Sequence, residues 1–129
     1  MPKVLLLQFD TDPGCAARLD VLSKLDIALA TDEPRWPDFF ATVTKERPDA
    51  IVIACDRLPS YAREAARYLG EGFNTRNIPL VLVDLPDKEA DELERYVRAY
   101  QPNCIVTDRA GLAAAVRAAL THEPAPLRP

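Results

Sequence analysis

The sequence predicts an α/β domain, a three-layer, doubly wound sheet of five parallel strands in the order 2-1-3-4-5. Two observations carry that expectation. Five short apolar runs, KVLLLQF, DIALA, AIVIAC, PLVLV and NCIVT, are rich in Val, Ile and Leu without polar alternation, as strands buried on both faces are. The segments between them have helical period, so strand and helix alternate, and right-handed crossovers lead to this topology.

The elements follow in order. After the first run comes DTDPG, in which Asp12 reads as a helix N-cap and Pro13 as the first helical residue, where its missing N–H costs nothing. Cys15, Leu19 and Leu22 then form a stripe at i, i+4 and i+7. Pro37 and Asp38 open the second helix, with Phe39 and Val43 on its inner face. Ser60 reads as the cap of the third, Tyr61, Ala65 and Tyr68 as its stripe, and Gly70 and Gly72 as its stop. Asp87 begins the fourth, striped by Leu93, Val97 and Tyr100. Asp108 begins the fifth, whose inner stripe is Leu112, Val116, Ala119 and Leu120. That leaves Ala113, Ala114, Arg117 and Ala118 facing outward, a nearly bare surface that either reflects the high helix propensity of alanine or allows close approach by another helix. Arg117, with Arg95 or Arg98 of the fourth helix, would fix register through carboxylates there. Residues 1–121 are expected to form the domain, and residues 122–129, with three prolines in the closing THEPAPLRP, a flexible tail.

Composition bounds the function. A chain of 129 residues, 48% hydrophobic and 28% charged, is long enough to bury roughly two thirds of its unfolded surface without a metal or disulfide. A net charge of −4 offers no general attraction to nucleic acid. No segment has signal-peptide or membrane-spanning character. Cys15, Cys55 and Cys104 are odd in number and widely spaced, which fits neither a disulfide framework nor a zinc site and points to a reducing cytoplasm.

In an open parallel sheet, ligands meet the crevice beyond the carboxyl ends of the strands. Those ends carry Asp10 and Asp12, Thr31 and Asp32, Cys55 and Asp56, Asp84, then Thr107 and Asp108. Capping accounts for Asp12, Asp87 and Asp108 without a ligand. Asp10, Asp56 and Asp84 end strands without standing at a cap, and gathered carboxylates raise one another's pKa unless a cation or a basic side chain intervenes. Two arrangements satisfy that condition: a metal site built on Asp10, Asp12 and Asp56, or a salt-bridged cluster using Arg57 and Arg109.

The segments FDTDP, RPDAIVIACDRLP and NIPLVLV, with five βα units in this length, resemble the receiver domain of two-component response regulators, a flavodoxin-like fold. The resemblance implies a magnesium-binding acidic pair after strand 1, a phosphorylated Asp after strand 3, a hydroxyl after strand 4 and a Lys after strand 5. Asp10 and Asp12 match the acidic pair, with Thr11 where an acid is usual. Counted forward from Pro48-Asp49 the phospho-acceptor falls on Ala54; counted back from Pro59 it falls on Cys55; a slipped alignment supplies Asp56. Asp84 replaces the hydroxyl, Thr107 the lysine and Ile105 the family's switch aromatic. The chain therefore resembles a degenerate pseudo-receiver. The implied function is a stand-alone signalling module that binds a protein partner or a second copy of itself, with no output domain, phosphorylation lost or impaired, and at most weak magnesium binding. Receiver domains often pair through the surface of the fourth and fifth helices, which the resemblance places at the alanine face above.

QFDTDPG also resembles the first motif of haloacid-dehalogenase-type phosphatases. In that reading Asp10 is the nucleophile and Asp12 the general acid, with magnesium bound and Thr31 and Asp84 as later motif members. The expected Gly-Thr and flap are absent, and no Lys lies near a strand end. A cysteine phosphatase would need five residues from Cys to Arg, whereas Arg57 is two and Arg63 eight beyond Cys55. His122 lies in the tail, and GEGFNTRN precedes a strand instead of following one, so it reads as a helix stop.

Overall fold

The computed structural model describes residues 1–57, 59–86, 95 and 104–121. The strands are β1 (Lys3–Leu7), β2 (Ala28–Asp32), β3 (Ala50–Ala54), β4 (Leu80–Val83) and β5 (Cys104–Thr107). The described helices are α1 (Cys15–Ser23), α2 (Asp38–Glu46), α3 (Pro59–Glu71) and α4 (Leu112–Leu120), the last being the helix predicted fifth. The strands form one parallel sheet in the order β2-β1-β3-β4-β5, so the fold is the flavodoxin-like α/β arrangement expected from sequence. Asp87, Leu93, Val97, Tyr100 and the tail lie outside the described residues; Arg95 is helical and exposed. No described helix is long and apolar enough to cross a membrane.

Side-chain alternation along the strands divides the core in two. Leu5, Leu7, Ile51, Ile53, Leu80 and Leu82 point toward α2 and α3, packing on Phe39, Val43, Ala62, Ala65, Ala66 and Leu69. Val4, Leu6, Ala50, Val52, Val81 and Val83 point toward α1 and α4, packing on Leu22, Leu112, Ala115, Val116 and Ala119. Both faces of β1, β3 and β4 are buried, whereas the edge strands β2 and β5 are half-exposed. An edge strand has a neighbour on only one side, which sequence runs alone do not reveal.

Three local expectations need correction. Asp12 does not cap α1: its Oδ2 accepts the N–H of Phe9 at 2.9 Å, and two turns, Asp12 N to Phe9 O and Cys15 N to Asp12 O, carry the chain to a helix that starts at Cys15. Ser60 lies inside α3, and the buried stripe there is Ala62, Ala65, Ala66 and Leu69, leaving Tyr61 exposed and Tyr68 half-buried. In α1 the deepest residues are Arg18 and Leu22, with Cys15 and Leu19 only half-buried. Two further assignments hold in part. Gly72 follows the end of α3, where a Cβ would collide with the Thr75 hydroxyl that donates to Leu69 O at 2.6 Å, whereas Gly70 lies inside the helix and does not stop it. Asp108 Oδ1 accepts the N–H of Gly111 at 2.8 Å, but Gly111 stands at the N-cap of α4 and no side chain caps the helix; Leu112, Val116 and Ala119 are buried and Leu120 half-buried, while Ala114, Arg117 and Ala118 are exposed and Ala113 is half-exposed.

Candidate functional site

Beyond Leu7 come Gln8 and Phe9, both buried, with Gln8 N bonded to Asp32 O. Gln8 anchors the inner end of a side chain that sequence reasoning passed over, because Arg18 Nε donates to Gln8 Oε1 at 2.8 Å. The Arg18 side chain is fully buried, and its guanidinium sits among the carboxylates. Nη1 lies 2.8 Å from Asp84 Oδ2 and 3.0 Å from Asp56 Oδ2, and Nη2 lies 3.8 Å from Asp12 Oδ2.

Two further arginines close the network from outside. Arg57 Nε is 3.3 Å from Asp12 Oδ1, and Arg109 Nη2 is 3.3 Å from Asp84 Oδ2. The backbone contributes as well. Gly14 N donates to Asp56 Oδ2 at 2.8 Å, and a Cβ on Gly14 would collide with Arg109 and lie 2.5 Å from Arg18 Nη1. Arg109 is half-exposed and can give way, but Arg18 is buried and bonded on several sides, so the close approach requires glycine. Asp84 has φ +62°, a left-handed conformation costing about 1–2 kcal/mol in a non-glycine residue. Its pairing with Arg18 and Arg109 offsets that strain.

The electrostatics follow from this arrangement. Burial pushes the Asp56 carboxyl upward, but hydrogen bonds from Arg18 and Gly14 and the Arg18 charge outweigh it and hold the group below the ordinary carboxylate range. Burial likewise opposes the charge on Arg18, and the bonds to Asp56 and Asp84 overcome it, leaving its pKa raised. Arg18 Nη2 and Asp56 Oδ1 are buried without a hydrogen-bond partner.

Of the residues nominated as metal ligands, Asp12 and Asp56 reach this cluster, whereas Asp10 is exposed. The arrangement does not fit a divalent cation while Arg18 is in place, since the ion would meet a buried positive charge at the point where the carboxylates converge. Among the described residues no group of three His, Cys, Asp or Glu side chains is disposed to hold a metal. Thr107 Oγ1 bonds to Asp108 O at 3.1 Å, and Ile105 packs against the α1/α4 core.

The cysteines are free thiols held in the protonated form. Burial raises Cys55, whose Sγ donates to Ile53 O, and pushes Cys104 up to about 12. Cys15 is raised by burial and by Asp10.

Helical spacing held the missed signal. Arg18 is three residues beyond Cys15 and four before Leu22, on the inward stripe of a helix that follows the acidic end of β1. An arginine there must face the strand ends. No family model matches the chain, and no curated protein matches its sequence.

Proposed function

We propose that the protein is a pseudo-receiver, a signalling module that works by binding another protein or a second copy of itself and has lost aspartyl phosphorylation. The observation that carries this reading is Arg18: a guanidinium belonging to the chain occupies the charge-compensating place that the receiver resemblance gives to magnesium. Asp84 supports it, because a carboxylate beside Asp56 repels an incoming phosphoryl group. Thr107 supports it too, since no lysine follows β5 to hold phosphoryl oxygens.

Incubation with magnesium and acetyl phosphate, followed by intact-mass measurement, is the test. The expected result is no phosphoryl adduct, and no shift of the Asp56 or Gly14 amides with magnesium and beryllofluoride. A stable adduct on Asp56 would overturn the reading.

The surface suited to a partner is the outer side of α4, with Ala113, Ala114, Arg117 and Ala118. Alanine leaves the backbone approachable, and Arg117 supplies one exposed charge. Ala114→Glu should leave the unfolding midpoint nearly unchanged, because the side chain is exposed. The same substitution should weaken association measured by light scattering and pull-down, and unchanged association in both would move the interface elsewhere.

A further inference from the structure

A second feature lies on the opposite helical layer and meets the acidic network only at Phe9 and Arg57, both bound to Asp12. The connection from β2 to α2 and the first turns of α3 form a cleft of about 320 Å³ lined by Pro34, Trp36, Ser60, Tyr61 and Glu64. Its two aromatic walls are exposed, Trp36 by 52% and Tyr61 by 40%. Both are braced from behind. Trp36 stacks on Tyr68 with centroids 4.6 Å apart, and Tyr61 meets Phe9 edge-on at 5.4 Å. Phe9 is itself covered by the guanidiniums of Arg35 and Arg57. The walls are therefore fixed before any ligand arrives, which lowers the ordering cost of binding.

Fixed, parted aromatic walls with a proline in the lining suit an extended proline-rich strand. Such a segment is largely pre-ordered as a polyproline II helix and lays prolines against aromatic side chains. The sequence itself carries a Pro-x-x-Pro run, Pro126-Leu127-Arg128-Pro129, within residues 122–129. Bound as a polyproline II helix with three residues per turn, the run would present Pro126 and Pro129 on one edge and Arg128 on another. Arg128 is the charge that Glu64 at the cleft would select.

Reach decides whose segment it is. Helix α4 packs with α1 on one side of the sheet and runs back from the carboxyl ends of the strands, so Thr121 lies near the opposite edge. The cleft adjoins α3, on the other side of the sheet and near the carboxyl ends. Five residues from Thr121 to Pro126 span at most about 18 Å. Crossing two packed layers takes about 20 Å before any travel along the strands. The segment cannot fill its own cleft.

We propose that the Trp36–Tyr61 cleft is a docking groove for a Pro-x-x-Pro segment, and that its occupant is residues 122–129 of a second copy of this chain. Trp36 is the single tryptophan, so its fluorescence reports on the groove directly. A synthetic peptide of residues 122–129 titrated into the dilute full-length chain should shift Trp36 emission in a saturable way. The peptide with Pro126→Ala and Pro129→Ala should not. Glu64→Lys in the chain should weaken the native peptide about two- to fivefold, the size of an exposed ion pair, and favour a peptide with Arg128→Glu. Sedimentation of the full-length chain should show concentration-dependent association that the same two proline substitutions weaken in both the native and the Ala114→Glu background, while Ala114→Glu leaves the peptide titration unchanged. Three results would overturn the proposal: no emission change at millimolar peptide, equal binding of the alanine peptide, or a tail effect on Trp36 independent of protein concentration, which would mean docking within one chain.

Discussion

Arg18→Met is expected to cost about 3–5 kcal/mol of stability near neutral pH, a large share of the total for a domain of this size. Methionine has comparable length and fills the space, so the loss is electrostatic in origin. Asp56 and Asp84 would be left converging with Asp12 on a buried point that no longer holds a positive charge. Arg57 and Arg109 are half-exposed and can swing inward, which sets the lower end of the range.

The pH dependence should change sign. In the native chain Asp56 titrates below its unfolded value, so its contribution is fully present above about pH 4 and is lost as pH falls through the depressed folded value. Without Arg18 the folded carboxylates repel one another and take up protons above their unfolded values. The variant should then gain stability as pH falls from about 7 to about 5, where the native chain is flat. Urea unfolding at a series of pH values measures both. A loss under about 1 kcal/mol with parallel pH profiles would mean that the guanidinium does not hold the cluster together.

Most of the fold was legible because it rests on local patterns. Val4 to Leu7 and Ile51 to Ala54 are unbroken apolar runs, and each run became a strand whose alternate residues divide between the two core layers. Phe39 and Val43 faced inward as their spacing required. The α3 stripe was misplaced by one residue because Tyr61 and Tyr68 counted as core, when small alanines at 62, 65 and 66 let that helix lie close to the sheet and left the tyrosines outside. Size, not hydropathy, decided the register.

The acidic site was half legible. Its acids could be read from the strand ends, and an internal basic partner was foreseen in kind, but the central one was missed. Arg18 is bound to residues 38 and 66 positions away, and no local pattern assigns a charged side chain to the interior. Nor does the sequence mark the left-handed turn at Asp84, which lacks the usual glycine. Asp12 followed by proline satisfied the capping pattern as well as the turn it forms.

The variant Arg18→Met combined with Asp12→Asn, Asp56→Asn and Asp84→Asn should regain most of the stability lost in Arg18→Met alone, ending within about 2 kcal/mol of the native chain. Each asparagine keeps an oxygen where one is needed: for the N–H of Phe9 at position 12 and for that of Gly14 at position 56. At position 84 asparagine is among the residues that tolerate the left-handed backbone best. What remains uncompensated is the set of amide donors, each costing about 1–3 kcal/mol if left buried and unpaired and less where solvent reaches it. The acid sensitivity that Asp56 contributes should vanish with its carboxylate. The same protein separates the two chemical readings of the cluster. A phosphatase with Asp10 as nucleophile and Asp12 as general acid would lose aryl-phosphate hydrolysis in this variant, which removes the acid, and a measurable native rate abolished by these substitutions would establish catalysis. A binding module needs the cluster only to fix the strand ends, so the variant should associate as the native chain does and still respond to Ala114→Glu.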